Sequence, residues 1–327
     1  MHVVPWVWWT TVLLTTAILL FDVFVIGRRP HEPSRRETSL ALMLYVALAV
    51  AFGIGVWLFS GGEYGGEFFA GWLTEYSLSV DNLFIFIVVM GRLAVPRELQ
   101  QSALLVGIVL ALVLRGIFIA VGAAAINQFS WVFYLFGAFL VITAVNLARE
   151  GVDDEGGYDE PRLVRWARRR LPFSENWNGA RLSVRTGGQR LFTPMFLVVL
   201  TLGMTDLLFA LDSIPAIYGL TNEAYLVLTA NIFALMGLRQ LYFLIGDLLT
   251  RLVFLSYGLA FLLLFIGVKL VLHAMHENTL PFVNGGAHIS WAPDIPIWVS
   301  LVVIVATLAV TTVASLASDR FRAGTAG

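Results

Sequence analysis

Eight ionisable side chains interrupt the long apolar stretches of this chain. They are Asp22, Glu75, Asp81, Arg115, Asp206, Asp212, Arg239 and Lys269. If these stretches cross a bilayer, each such group costs several kcal/mol unless it faces a cavity or a partner, so each is a candidate for function. Five acids against three bases leave two negative charges in excess. This excess favours a cation as the ligand.

Four of the acids lie in two stretches with the same spacing. Residues 75–83 read EYSLSVDNL and residues 206–214 read DLLFALDSI. Each has an acid, five intervening residues, an aspartate and then a small polar residue. After the second stretch, Pro215 has no N–H to donate to the carbonyl of Leu211, which lies next to Asp212 in the chain. Oxygen donors of this kind favour Mg²⁺, Ca²⁺ or Mn²⁺ over Zn²⁺ or Cu⁺.

The two acids of one motif do not face the same way on a regular helix. Six residues separate Glu75 from Asp81, which places them about 120° apart around the helix and about 9 Å apart along it. Two neighbouring stripes of polar groups result. One carries Glu75, Ser79 and Asn82, and the other carries Thr74, Ser77 and Asp81. Groups from other helices must therefore complete any ion site.

The composition shows what kind of elements position these groups. Of the 327 residues, 58% are hydrophobic and 13% are charged, against roughly 25% charged in soluble domains. This indicates an integral membrane protein, with the lipid bilayer as its first partner. A net charge of −1 gives no basic surface for nucleic acid. The chain has no cysteine, which excludes disulfides, thiolate metal sites and cysteine nucleophiles.

Nine apolar stretches are long enough to cross a bilayer, which takes about 20 residues each. They predict an all-α, polytopic membrane helix bundle. The first lacks the basic flank and cleavage site of a signal peptide, so we expect it to be retained. The predicted spans are 6–26, 39–59, 68–90, 102–123, 131–148, 194–220, 225–245, 252–273 and 295–316.

The distribution of basic residues predicts the orientation of the bundle. Eighteen of the 21 Lys and Arg residues lie in the segments on one side of the predicted spans, and the alternate segments carry none. Because positive charge stays in the cytoplasm, we expect the amino terminus outside and the carboxyl terminus in the cytoplasm of an inner-membrane protein. The long segment 149–193 is then a cytoplasmic linker, with a short interfacial helix near 163–171 and a hairpin at 184–191.

The two acidic motifs belong to a longer repeat. Arg115 and Arg239 occupy corresponding spans, and Asn146 corresponds to Lys269 at an offset of 123 residues. The predicted orientation makes residues 68–148 and 194–273 inverted repeats. Inverted three-helix repeats with acids at midspan are typical of secondary transporters, whose ion site lies between the repeats.

Several roles stay open for the charged groups. Asp81 with Arg115, or Asp212 with Arg239, are candidates for structural ion pairs, although three bases cannot neutralise five acids. Asp22 lies near the cytoplasmic end of its span, where it reaches the interface or pairs with a base. Lys269 is either a counter-ion or a tethered cation that takes the place of the metal.

The hypothesis is a secondary exporter of a divalent cation, Mg²⁺, Ca²⁺ or Mn²⁺, in exchange for protons. Asp81 and Asp212 are the groups expected to alternate between metal and proton. The chain has no Gly-rich phosphate loop that would indicate ATP as the energy source. One alternative is an intramembrane aspartyl protease, which we disfavour because hydrolysis does not need the second acid of each motif. Another is a non-transporting scaffold that recruits stress-response partners or aids membrane-protein insertion. We therefore expect no enzymatic activity and no bound cofactor other than the transported ion.

The motifs resemble those of the TerC family of tellurium-resistance and Alx-type membrane proteins. The resemblance rests on residues 75–84 and 205–217, with support from 95–97, 134–140, 237–239 and 265–269. It differs at Asn146, where the family often has lysine. It implies a role in manganese export and metal homeostasis, sometimes with tellurite resistance, and so places Mn²⁺ first among the candidate ions. It also implies metal or tellurite stress as the setting of the scaffold alternative. The metal ligands that it implies are Glu75, Asp81, Asn82, Asp206, Asp212 and Ser213.

Overall fold

The structure of the chain is a computed structural model. It describes residues 3–28, 34–129, 131–150, 162–174, 176–186, 189–249, 254–276, 278, 280, 284, 289, 291–293 and 295–325. Within these ranges, the side chains of Asp22 and Asp81 are among those that lie outside the description. The acidic part of the predicted linker, at 153–160, also lies outside the described residues.

The described chain is a helix bundle with one small hairpin. Its elements are α1 (Pro5–Arg28), α2 (Arg35–Ser60), α3 (Gly62–Arg92), α4 (Arg97–Gln128), α5 (Val132–Glu150), α6 (Arg162–Arg170), β1 (Ser183–Thr186), β2 (Gln189–Phe192), α7 (Pro194–Tyr218), α8 (Ala224–Leu249), α9 (Leu255–His276) and α10 (Ile297–Thr325).

The helices confirm the predicted polytopic membrane fold. Seven of those described are long and apolar enough to cross a bilayer, namely α2, α4, α5, α7, α8, α9 and α10. Helices α1 and α3 cover the predicted spans 6–26 and 68–90. The crossing of the membrane by these two helices, and hence the count of nine spans, stays a prediction.

Local sequence explains the sharp reversal between α2 and α3. Gly61 has a φ of +108°, a conformation that side chains disfavour and glycine adopts freely. Its N–H donates to the carbonyl of Trp57 at 3.1 Å and closes the end of α2. Helix α3 begins at the next residue, so the chain turns back within a single residue.

The helices pack in the pairs that a two-fold relation between the repeats requires. Helix α5 packs along α9, α3 along α8, and α4 along α7. If α3, α4 and α5 correspond to α7, α8 and α9, then the α3 and α8 pair maps onto the α7 and α4 pair. The α5 and α9 pair maps onto itself.

Individual contacts follow the same relation. A Cβ placed on Gly71 lies 3.6 Å from Ala230, and one placed on Gly107 lies 3.2 Å from Leu202. Glu75 and Asp206 are 131 residues apart, and Arg115 and Arg239 are 124 residues apart. The first offset carries Gly71 onto Leu202, and the second carries Ala230 onto position 106, one residue before Gly107. The first contact therefore maps to within one residue of the second. This agreement supports the inverted repeat, which stays a prediction.

The backbones of α5 and α9 approach closely at two glycines. A Cβ on Gly137 falls 2.9 Å from the carbonyl oxygen of Gly267, and one on Gly267 falls 3.0 Å from that of Gly137. We expect Gly137→Ala to lower stability by about 1–3 kcal/mol, because the backbones must separate. Thermal unfolding of the purified protein in detergent measures this loss of stability.

Gly55→Ala is the matched control, since its Cβ meets nothing within 4 Å. Alanine favours the helix at an interior position by up to about 1 kcal/mol, so this variant should keep or raise the unfolding temperature. Equal unfolding temperatures for the Gly137 and Gly55 variants would contradict the close approach of α5 and α9.

The described part of the linker contains the two predicted elements. Helix α6 packs against α7 and buries Val164 and Ala167, while Leu163 and Trp166 are exposed. Strands β1 and β2 pair antiparallel, with Val184 opposite Leu191. The short helix and the hairpin predicted from the sequence are thus confirmed, and the exposed Trp166 among arginines is typical of an interfacial helix.

Candidate functional site

A buried ion cluster forms around Arg115 of α4. Its guanidinium holds the Asp206 carboxylate with two nitrogens, Nε to Oδ2 at 2.8 Å and Nη2 to Oδ1 at 2.9 Å. Its Nη1 also pairs with Glu75 Oε1. Arg115 and Asp206 are each 1% exposed, and Glu75 is fully buried. One arginine therefore holds one acid from each motif.

Two neutral side chains complete this Arg115 cluster. Nη1 of Arg115 donates to Asn231 Oδ1 at 3.1 Å and lies 3.5 Å from Ser213 Oγ. Asp206 and Ser213 are seven residues apart and so share one face of α7. The cluster joins α3, α4, α7 and α8 in the interior of the bundle.

A second polar group of residues lines a cavity of about 280 Å³ between α3, α5, α7 and α9. Its polar members are Asn82, Thr143, Asn146 and Asp212. Thr143 Oγ1 donates to Asp212 Oδ1 at 3.2 Å, which aims the carboxylate at α5. Asn82 is 5% exposed, and its Nδ2 has no hydrogen-bond partner among the described groups. We call this space the Asp212 cavity.

The donors around the Asp212 cavity suit a hard cation. They are one carboxylate, two amide oxygens and a hydroxyl, which match the oxygen ligands of Mg²⁺, Ca²⁺ and Mn²⁺. Pro215 lies inside α7 and leaves the Leu211 carbonyl without an amide donor from position 215. In the described part of the chain, no three His, Cys, Asp or Glu residues gather around one point.

The structure thus divides the residues that the sequence grouped as metal ligands. Glu75, Asp206 and Ser213 contact Arg115, whereas Asn82 and Asp212 line the cavity. Asp81 lies on α3 beside Asn82 in sequence, and its side chain is outside the description. Each acidic motif contributes polar residues to both places.

Sequence reasoning missed three of the residues that the structure brings into these places. Thr143 and Asn146 of α5 lie three residues apart, so they share a helix face. Asn231 of α8 reaches Arg115. The only available signal was the correspondence of Asn146 with Lys269, because neutral polar residues in a membrane helix do not reveal their neighbours.

The other supporting residues lie elsewhere in the bundle. Arg239 is buried on α8. With the Gln240 amide in the flipped orientation that its hydrogen-bonding neighbours require, Arg239 Nη2 donates to the Gln240 side-chain oxygen at 2.8 Å. Lys269 Nζ donates to Ser300 Oγ of α10 at 3.2 Å. The position of the Asp22 carboxylate lies outside the description.

Lys269 lines a second polar cavity, of about 200 Å³, with Glu63, Glu67, Thr221 and His273. Thr221 Oγ1 donates to Glu67 Oε2 at 2.6 Å. Glu67 precedes the predicted third span. Burial is the main cause of the raised pKa of the Glu67 carboxyl, and nearby acids raise this pKa further. The hydrogen bond from Thr221 and the positive charge of Lys269 act in the opposite direction.

The raised pKa of Glu67 predicts a pH effect on stability. The stabilisation that Glu67 contributes to the folded protein is fully present below the pKa that it has in the unfolded chain. It is lost as the pH rises through the higher pKa that Glu67 has in the folded protein. Glu67→Gln keeps an oxygen for Thr221 but does not titrate, so it should be more stable than the wild type at neutral pH and not at acidic pH. Unfolding temperatures across pH measure this, and a constant difference at all pH values argues against it.

Comparison with known proteins gives a family and several relatives. The model described as "Integral membrane protein TerC family" matches residues 60–323. An uncharacterized membrane protein of Mycobacterium tuberculosis is 47% identical over 320 residues, covering 97% of this chain and 80% of that protein.

Two further relatives are named putative membrane-bound redox modulator Alx. That of Photorhabdus laumondii is 33% identical over 328 residues, covering 98% of this chain and 97% of its own. That of Escherichia coli is 36% identical over 277 residues, covering 82% and 86%. No solved structure matches the chain.

Proposed function

Because the chain belongs to the TerC family of integral membrane proteins, we propose that it is a secondary transporter that exports a divalent cation, Mn²⁺ first, in exchange for protons. The observation that carries this proposal is the Asp212 cavity. Asn82 and Asp212, one from each acidic motif, line it together. This is the arrangement expected of an ion site between two repeats.

The cargo follows from the ligands. A carboxylate with amide, hydroxyl and carbonyl oxygens binds Mn²⁺, Ca²⁺ or Mg²⁺ in preference to softer metals. The absence of cysteine also means that this chain offers no thiol for redox chemistry. A redox effect of the kind named for the Alx relatives would then act through the transported metal ion.

Export needs an energy source. Moving a dication outward against an inside-negative potential of 100 mV costs about 4.6 kcal/mol, twice the 2.3 kcal/mol for one charge. Entry of protons supplies this energy without ATP. Asp212 takes part by holding metal in one state and a proton in the other, and Asp81 is the second residue that we assign to this exchange.

Reconstitution of the purified chain alone tests the proposal. Inverted proteoliposomes with an imposed pH gradient should take up Mn²⁺, and a panel of Mn²⁺, Ca²⁺ and Mg²⁺ should reveal the preferred ion. Flux in the absence of any other protein separates an exporter from a non-transporting scaffold. If none of these ions moves while the protein remains folded, the exporter proposal is wrong.

A further inference from the structure

Two polar cavities lie at different depths along the same helices. One is the Asp212 cavity, and the other is the cavity of about 200 Å³ around Lys269, which we call the Lys269 cavity. Residues of α3, α7 and α9 line both. Asp212 and Tyr218 on α7, like Leu263 and Lys269 on α9, line different cavities and are six residues apart, which is about 9 Å along a helix.

The Lys269 cavity lies at one end of the bundle. It is lined by Glu63 in the first turn of α3 and by Ile297 at the start of α10. The two cavities follow each other along α3 in the reverse of their order along α7 and α9, so α3 runs antiparallel to the other two helices here. By the predicted orientation, the Lys269 cavity is at the outer end and the Asp212 cavity lies nearer the cytoplasm.

The Lys269 cavity contains more acid than base. Among the described residues that line it are two acids, Glu63 and Glu67, and one lysine. A cavity with an excess of one charge concentrates ions of the opposite charge, so this cavity attracts cations. In the described part of the protein, no three acidic or histidine side chains gather around one point. The cavity therefore suits a cation in passage better than one that is held.

A stripe of apolar side chains on α9 runs from one cavity to the other. Leu263 lines the Asp212 cavity, and Leu270 lines the Lys269 cavity. Ile266 lies between them in the chain, and spacings of three and four residues place all three on one face of α9. They are 2%, 0% and 1% exposed, in chain order, and belong to one hydrophobic cluster.

The end of α7 packs against this stripe. A Cβ placed on Gly219 falls 2.6 Å from Ile266 Cγ2 and 3.0 Å from Leu270 Cγ, so the approach is this close because glycine has no side chain. Ala216, three residues earlier, is fully buried in the same cluster. Pro215 removes one backbone hydrogen bond from this end of α7, which makes it the part of the helix that moves most easily.

An apolar layer of this kind is a barrier to ions. A charge that loses its water and meets no polar ligand there pays a large desolvation cost, and hydrophobic constrictions close channels by excluding water. Transport by alternating access needs such a barrier on one side of the ion site at any time.

We propose that the Lys269 cavity is the release chamber of the transported cation and that Ile266 is the gate between this chamber and the Asp212 cavity. This assignment rests on the proposed transport function. The structure shows the gate closed. When the end of α7 moves away from Ile266, the cation passes from Asp212 to the acids of the chamber. The positive charge of Lys269 then opposes its return.

Cysteine labelling tests the closed gate. The chain has no cysteine, so single cysteines are labelled without background. Leu263→Cys and Leu270→Cys, one in each cavity, are placed in oriented proteoliposomes without metal and treated from one side at a time with a charged, membrane-impermeant methanethiosulfonate. The two should react from opposite sides, and Ile266→Cys should stay unlabelled. Reaction of the two cavity variants from the same side, or of Ile266→Cys as fast as Leu270→Cys, overturns the gate.

A leak measurement tests the gate by a second route. Ile266→Ala shortens the gate side chain and keeps every polar group of both cavities. Without a pH gradient, Mn²⁺ should move down its own gradient on the order of tenfold faster through this variant than through the wild type. Val268→Ala is the matched control, because Val268 lies on the same helix, is 44% exposed and should give the leak of the wild type.

The outcomes separate the gate from the transport function. Equal leaks in Ile266→Ala and Val268→Ala overturn the gate, and if Ile266→Ala does not fold, the labelling of Leu263→Cys and Leu270→Cys decides. A wild type that moves no divalent cation under a pH gradient overturns the proposed function instead.

The charge of the release chamber has its own readout. Relative to their rates with a free thiol in solution, a cationic methanethiosulfonate should react with Leu270→Cys faster than an anionic one, because Glu63 and Glu67 line the same cavity. Adding Glu63→Gln should reduce this preference. An anionic reagent that reacts as fast as the cationic one overturns the release chamber.

Discussion

Replacing Asp212 with asparagine is expected to abolish Mn²⁺ flux into inverted proteoliposomes under a pH gradient. Asp212 is the single carboxylate described in its cavity, and the charge of a ligand sets much of the affinity for a divalent cation. We expect Mn²⁺ binding to weaken on the order of 100-fold, equivalent to about 3 kcal/mol. Isothermal titration of the purified variant measures the affinity separately from the flux.

Thr143→Val provides the graded control for Asp212→Asn. It removes the hydroxyl that donates to Asp212 but keeps the carboxylate, so binding should weaken on the order of tenfold, as for other residues that orient a ligand. Asp81→Asn, measured in parallel, should also lose transport. Unimpaired transport in both aspartate variants would refute the assignment of the metal site.

The sequence predicted the helices well because hydropathy and length decide which segments cross a bilayer. It also predicted the stripe of Glu75, Ser79 and Asn82, since residues within one helix have fixed angular positions. The partners of each stripe depend on how neighbouring helices rotate and cross. For that reason Thr143 and Asn146, neutral residues of α5, gained a role only once the structure placed α5 against α7.

The ion pairs illustrate the same limit. The repeat relation carries Arg115 and Asp206 onto Arg239 and Glu75, so sequence symmetry alone would give each acid its own arginine. In the structure Arg115 holds both acids. The helix pairs α3 with α8, α4 with α7 and α5 with α9 agree with the predicted repeat, whereas the ion pairs of Arg115 do not. Which arginine takes both acids cannot be read from a symmetric motif.

Removal of the Arg115 side chain is expected to destabilise the fold strongly. Arg115→Met leaves Glu75 and Asp206 buried without the guanidinium that holds them, and breaking a buried ion pair from one side costs about 3–5 kcal/mol. Methionine has a similar length and no charge, so the loss reports the electrostatic contribution. Reversible unfolding of the purified protein in mixed detergent measures the free energy of unfolding.

A triple variant supplies the control. Combining Arg115→Met with Glu75→Gln and Asp206→Asn removes all three charges from the cluster, and replacing a whole buried ion network by neutral groups is often close to neutral for stability. We therefore expect the triple variant to recover most of the stability that Arg115→Met loses. If Arg115→Met is as stable as the wild type, Glu75 and Asp206 do not depend on the guanidinium.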